Sequence, residues 1–256
     1  IDVNGKGYLG GVQIKEDGKG PGRGVYRTNN TDLRIGAGHG SAGGRATGIY
    51  GRSYGDPYAP VEPGSGGCGA DTVAKGPGGN GGGVVRIAAT GTVTVDGTIS
   101  ANAWGRKAWF EASCGSGGSV YITCDVIAGT GRVSADAESS YTGTGAGGAG
   151  GRIAVVYNTT AQSNAAPAAV TFSAQCGNET GGWTQPGGDL GTVYFPDDQI
   201  LARGPSLVKH AGMWLAPGTR LDRDSLTFDG AYIRFMVPGF VLNVTNNLTV
   251  KGTDVL

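Results

Sequence analysis

Two stretches of sequence decide the fold: "GGVVRIAATGTVTVDGTISANA" at residues 82–103 and "GGSVYITCDVIAGTGRVSADA" at residues 117–137. Each begins with two glycines and continues as three short runs in which apolar and polar residues alternate. The glycine before the first run recurs as Gly83, Gly118, Gly151 and Gly191, at spacings of 35, 33 and 40 residues. A repeat of this length is typical of solenoid proteins, in which each repeat is one structural unit.

The alternation within each run has a period of two, which places every second side chain on one face of a strand. In register, the inward residues are Val85, Ile87 and Ala89, then Val120, Ile122 and Cys124, then Ile153, Val155 and Tyr157. One repeat alone cannot bury such a face, whereas stacked repeats bury it in a continuous column. The sequence therefore predicts an all-β, right-handed parallel β-helix with long glycine-rich loops and almost no α-helix. An antiparallel sandwich of short strands is the alternative.

We expect one domain over residues 1–256, as a segment of a larger protein. Residues 82–200 hold the best-defined coils and 201–256 hold further coils, while "IDVNG" at residues 1–5 resembles "ISANA" at 99–103 and ends a preceding unit. Residues 6–81 form a glycine- and tyrosine-rich excursion, which we expect to be ordered but irregular and packed on the flank. Of the 52 glycines, 26 precede residue 84. Glycine has no three-residue period and only 11 prolines accompany it, which excludes collagen.

Composition excludes several classes of function. Twenty basic and twenty acidic residues give a net charge of zero, so no global field favours nucleic acid or anionic membranes. The apolar runs are strand-sized, too short to span a bilayer. We therefore predict neither nucleic-acid binding nor membrane insertion.

Three short motifs match the residue pattern of a functional site but lack the surrounding structure or tandem copies that the site requires. "GKGYLG" at residues 5–10 fits a dinucleotide fingerprint without the helix that must follow it, and "GRSYG" at 51–55 fits a nucleophile elbow without its α/β scaffold. "GGCGADTVA" at 66–74 fits a calcium-binding nonapeptide, but that motif works in tandem copies and here occurs once. We predict no catalytic residue, cofactor or metal, and the sequence leaves calcium near Asp71 open.

Two tight acidic pairs, Asp197 with Asp198 and Asp222 with Asp224, are the candidates for glycan cleavage, which needs two carboxylates in one groove. Both pairs flank predicted strands, so we interpret them as turn-forming residues. The aromatic candidates for contact with glycans or protein partners follow strands or lie in the excursion: Trp104, Trp109, Phe110, Tyr54 and Tyr58. Packing of these rings against the flank of the helix is the competing interpretation.

Five N-x-T sequons, more than chance gives, begin at Asn29, Asn158, Asn178, Asn243 and Asn247. The alternation puts Asn158 and Asn243 on outward positions, which favours a secreted eukaryotic glycoprotein over a bacterial surface protein with unused sequons. Four cysteines in a secreted chain indicate disulfides among Cys68, Cys114 and Cys176. Cys124 occupies an inward strand position and is expected to be a buried thiol.

The series from "IDVNGKGYLGG" to "GGAGGRIAVVY", roughly residues 1–160, resembles glycine-rich right-handed parallel β-helix segments of very large secreted or surface proteins, autotransporter-like or from protists. Cys68 and Cys124 depart from it, since glycine or another small residue is usual there. The resemblance implies a fibrous or adhesive extracellular role and carries over no catalytic residue.

We therefore expect a glycosylated, non-enzymatic structural segment of an extracellular fibre, sheath or adhesin. Because neither end carries a cap, we expect both ends to be continued by further coils or by other copies of the protein. The alternative is a polysaccharide-binding or polysaccharide-degrading β-helix.

Overall fold

A computed structural model describes residues 1–28, 33–44, 50–72, 76–104, 112–139, 145–177, 187–201 and 207–252. Their regular secondary structure is almost entirely β-strand, with one five-residue helix. The elements are β1 (Tyr26–Arg27), β2 (Leu33–Arg34), β3 (Val84–Ala88), β4 (Thr92–Thr94), β5 (Thr98–Ser100), β6 (Ser119–Cys124), β7 (Val126–Ala128), β8 (Arg132–Ser134), β9 (Arg152–Tyr157), α1 (Thr159–Ser163), β10 (Thr171–Ser173), β11 (Thr192–Tyr194), β12 (Leu207–Val208), β13 (Ala211–Trp214), β14 (Arg220–Asp229), β15 (Tyr232–Phe235) and β16 (Val241–Lys251).

The largest sheet has nine strands in the order β3-β6-β9-β11-β13-β10-β8-β5, with β15 pairing on β13, and all its pairs are parallel. It is nearly barrel-shaped: its two end strands, β3 and β5, belong to one sequence repeat and are linked through Val3. Val3 bridges the two ends: its carbonyl accepts from the Gly83 N–H and its own N–H donates to the Ser100 carbonyl, both at 2.9 Å. The parallel pairing shows that the antiparallel sandwich is wrong.

The strand register confirms the repeat read from the sequence. Ile87 pairs with Ile122, and Ile122 pairs with Val155, so the three side chains form one ladder. The side chains of Ile122 and Val155 are fully buried. Residues 1–5 run beside β5 through the Asp2–Ser100 bridge, as expected for the end of a preceding unit.

The repeat shortens in the second half of the chain. Arg152 pairs with Thr192, 40 residues away, whereas Thr192 pairs with Met213 and Met213 pairs with Arg234, each only 21 residues away. The same 21-residue step joins Leu221 of β14 to Leu242 of β16. The longer repeats therefore contain an insertion that the later ones lack.

That insertion is a bundle of extended glycine-rich segments, to which residues of the predicted excursion at 6–81 also contribute. Along residues 64–69 the hydrogen-bond partner changes with a period of three: Gly64 and Gly67 donate to residues 82 and 79, Ser65 and Cys68 to the hydroxyls of Ser116 and Ser113, and Gly66 and Gly69 to residues 19 and 16. Three residues per turn without internal hydrogen bonds is the geometry of the polyproline II helix.

Similar backbone hydrogen bonds are made by residues 77–83, 112–118 and 145–151. These three segments lead directly into β3, β6 and β9. Together with residues 7–11, 16–24, 36–44 and 64–69, we call them the glycine bundle. Its backbones approach so closely that a Cβ on Gly81 would lie 1.9 Å from the Gly64 carbonyl oxygen. Glycine is therefore required where these segments touch, and the bundle hydrogen-bonds laterally to the same repeats that build the sheet.

Candidate functional site

The first acidic pair lies beside a cleft of about 300 Å³ lined by Asp197, Asp198, Trp214, Ala216, Pro217, Gly218 and Arg220. Asp197 accepts hydrogen bonds from the Tyr157 hydroxyl and from the backbone and side-chain amides of Gln199. Asp198 forms an ion pair with Arg223 at 2.9 Å. The two carboxylates lie in the turn after β11, as predicted, and each already has a donor from the protein.

The second acidic pair lies inside β14, so the prediction that Asp222 and Asp224 form a turn is wrong. Asp222 accepts from Arg220 at 2.6 Å and from the Asn243 side-chain amide at 2.8 Å, and these two bonds lower the pKa of Asp222. Asp224 accepts from the Thr245 hydroxyl at 2.7 Å. A glycosidase acid needs a raised pKa, whereas these bonds hold Asp222 ionised. The pair joins β14 to β16 along the outside of their sheet.

The aromatic candidates separate into exposed and internal rings. Trp104 is 64% exposed, and Tyr58 is exposed with its ring edge-on to Tyr194 at 4.8 Å. Tyr54 instead lies within the glycine bundle, where its ring packs 4.6 Å from that of His39. Its hydroxyl donates to the Pro63 carbonyl, so packing explains Tyr54 better than contact with a partner. Trp109 and Phe110 lie outside the described residues.

The sequon asparagines occupy different environments. Asn158 is exposed and caps α1, its side-chain oxygen accepting from the backbone of Thr160 and Ala161 at 3.1 Å. This engages the carbonyl oxygen and leaves the amide nitrogen at the surface. Asn247 is exposed on β16, whereas the amide of half-buried Asn243 donates to Asp222. Asn29 and Asn178 lie outside the described residues.

The predicted disulfides do not form: Cys68, Cys114 and Cys176 all remain thiols. The reason lies in the glycine bundle, where Ser113 rather than Cys114 meets Cys68, its hydroxyl lying 3.2 Å from the sulfur. Burial raises the pKa of Cys68 to about 11 and also raises that of Cys114, which makes both thiols unreactive. Cys124 is a buried thiol, as predicted.

Asp71 and the two histidines are bonded to other groups within the protein. Asp71, from the nonapeptide match, forms an ion pair with the buried Arg34 at 3.2 Å. His39 lies with its Nδ1 2.7 Å from the Gly117 carbonyl, and His210 accepts from the Phe172 N–H while its Nε2 meets the Ile200 carbonyl at 2.8 Å. No group of three metal-binding side chains occurs among the residues that the structure describes.

The first and last layers of the strand stack that the structure describes differ from the inner layers in the exposure of their apolar side chains. Leu226 on β14 is fully buried, but its ladder partner Leu248 on β16 is 54% exposed. At the other end, Ile127 of β7 is fully buried while its partner Val93 of β4 is only half-buried. Leu248 and Val93 therefore lie in the outermost layers of the stack that the structure describes.

No protein-family model, curated protein or solved structure gave a match to the chain. Within the described ranges, no helix is long and apolar enough to cross a bilayer.

Proposed function

We propose that the chain is a right-handed parallel β-helix that serves as a structural, non-enzymatic segment of an extracellular fibre, sheath or surface adhesin. The observation that carries this proposal is the unbroken series of parallel ladders from β3 to β15, in which the pairing steps from β3 to β11 equal the sequence repeat. Each step is then one coil, and parallel crossovers of this kind are almost always right-handed.

Two arrays of backbone hydrogen bonds support a mechanical role. The strands of the stack are joined coil to coil, and the glycine bundle joins the same coils laterally through residues 77–83, 112–118 and 145–151. Such bonds are directional and numerous, so force along the stack is shared among many of them. The four acidic residues weighed for catalysis are bonded within the protein.

The location can be tested by immunogold labelling of source cells with antibodies against the chain. We expect label on extracellular fibres, sheath or cell surface, with a preimmune serum as the control. Label confined to the cell interior would contradict the proposed function.

Glycosylation is tested on the native protein by intact mass before and after treatment with an N-glycosidase. We expect a loss of mass, with Asn158 and Asn247 as the main acceptors. Thr160→Ala removes the first sequon while the Asn158 cap remains, and Thr249→Ala removes the second. An unchanged native mass would contradict glycosylation and indicate a bacterial source.

A polysaccharide-binding or polysaccharide-degrading function is the alternative, and the cleft beside Asp197, Asp198 and Arg220 favours it. Its test is release of reducing ends from a panel of acidic and neutral polysaccharides, with Asp198→Asn as the matched control. Cleavage by the native chain that is lost in this variant would replace the structural proposal.

A further inference from the structure

We propose that the cleft beside Asp197 and Asp198 binds one uncharged sugar ring, such as the end of a surface glycan. The cleft lies between the turn after β11 and the connection from β13 to β14. Both belong to inner layers of the stack, because β15 pairs on β13 and β16 pairs on β14 beyond them. This inference rests on the proposed function as a surface adhesin and names the class of ligand that the adhesin would hold.

The indole N–H of Trp214 is the strongest indication of a ligand. Trp214 lines the cleft and is only 2% exposed, yet its Nε1 has no hydrogen-bond partner among the residues that the structure describes. The rings of Phe235 and Phe240 pack edge-on against the indole at 5.8 Å and 5.9 Å and restrict its orientation. A buried donor without an acceptor is unfavourable, so an oxygen atom bound in the cleft would be stabilised there.

Two further groups at the cleft have hydrogen-bonding capacity that the described part of the protein leaves unused. Asp198 binds Arg223 through Oδ2 at 2.9 Å, whereas no described residue donates to its Oδ1, and the side chain is 35% exposed. Arg220 donates from Nε to Asp222 at 2.6 Å, and no described residue accepts from its two terminal nitrogens. The cleft therefore presents one acceptor and two kinds of donor.

This combination matches neighbouring hydroxyl groups, because each hydroxyl can both donate and accept a hydrogen bond. One sugar hydroxyl would donate to Asp198 while the next accepts from Arg220 or Trp214. The volume of about 300 Å³ is at the lower limit of ligand-binding clefts, roughly 300–1,000 Å³, so one ring fits and a longer chain extends into solvent.

The charges at the cleft disfavour an acidic ligand. Three carboxylates lie at the cleft or are paired with its residues, against two guanidinium groups: Asp197, Asp198 and Asp222 against Arg220 and Arg223. An anionic sugar would meet this excess of negative charge, whereas an uncharged sugar would not.

The test is a titration of the nitrogen-15-labelled chain with the methyl glycosides of glucose, galactose, mannose and N-acetylglucosamine. The signal is the set of indole N–H resonances from the four tryptophans. The resonances that disappear in Trp104→Phe, Trp109→Phe and Trp183→Phe identify the other three, so Trp214 itself needs no substitution. We expect at least one glycoside to shift the Trp214 resonance with saturation, while the resonance of the exposed Trp104 stays in place.

Asp198→Asn should weaken this binding about tenfold, because it removes a charged acceptor. The matched control is Asp229→Asn, whose carboxylate pairs with Lys209 outside the cleft, and it should leave the affinity unchanged. Circular dichroism checks that both variants are folded.

No shift of the Trp214 resonance with any of the four glycosides would overturn the inference. Equal weakening by the two aspartate variants, or saturation by glucuronate alone, would also overturn it. Each of these results would leave the extracellular labelling experiment unaffected, so failure of this inference and failure of the proposed function are distinguishable.

Discussion

At the scale of single residues, each interior position is determined by the residues one repeat before and after it. Ile122 is fully buried between Ile87 and Val155 in one ladder, and alternation alone predicted this contact. A period of two is a strong signal because a shift by one residue would turn every apolar side chain outward.

Replacing Ile122 with Asp should abolish folding or cost several kcal/mol, because an unpaired carboxylate would be buried in the column. Ile122→Val keeps the ladder and should cost only about 0.5–1.5 kcal/mol. Urea denaturation followed by circular dichroism measures both. Equal and small effects would show that residue 122 does not lie inside the stack.

His39 gives a second residue-scale prediction, on pH. Burial lowers the pKa of His39 to about 3, below the value of about 6.5 that it regains on unfolding. The unfolded chain therefore binds a proton that the folded chain does not. The free energy of unfolding should fall by about 1.4 kcal/mol per pH unit as pH drops below about 6.5, until it reaches the folded pKa.

The variant His39→Gln should show a shallower slope over the upper part of this window, where carboxylates stay ionised. Urea midpoints from about pH 7 to about pH 5 measure the slope for both proteins. Parallel slopes would contradict a buried, neutral His39.

At the scale of elements, the strands followed from the sequence but the glycine bundle did not. Polyproline II segments carry no alternation of apolar and polar residues, so the periodicities that predict strands and helices do not detect them. The signal was local: glycines three apart, such as Gly64 with Gly67 and Gly145 with Gly148, without a period over the whole chain. The disulfide prediction failed for the same reason, because the neighbours of Cys68 depend on how the bundle packs.

Gly81→Ala tests the bundle against Gly91→Ala. A Cβ at position 81 would lie 1.9 Å from a backbone oxygen, whereas one at position 91 would meet nothing within 4 Å. We expect Gly81→Ala to cost about 1–3 kcal/mol or more, and Gly91→Ala to be neutral or to stabilise by up to about 1 kcal/mol. Thermal denaturation of the two variants measures the difference in stability, and equal stabilities would contradict close packing of the segments.

At the scale of the whole molecule, the sequence predicted parallel strands paired from repeat to repeat, since these follow from a repeat with one apolar face. It did not predict the shortening to 21 residues after β11, because the later strands lack the glycine pair that marks the earlier ones. Nor did it predict the hydrogen bond that the Asn243 amide donates to Asp222, because the two residues lie on successive strands and their spacing in the sequence does not indicate the contact.

The central claim is that the strands stack along one axis. Arg86 in β3 and Met236, the residue after β15, lie on one ladder, and five strand-to-strand steps separate β3 from β15. Both positions are exposed, so each can carry a spin label. With the half-buried Cys176 replaced by Ser, pulsed electron paramagnetic resonance measures their separation.

A β-helix predicts about 24 Å between the labelled backbone positions, from five steps of about 4.8 Å. A closed barrel of nine such strands, tilted by about 40°, would be about 18 Å across, so a separation near or below that value would contradict the account.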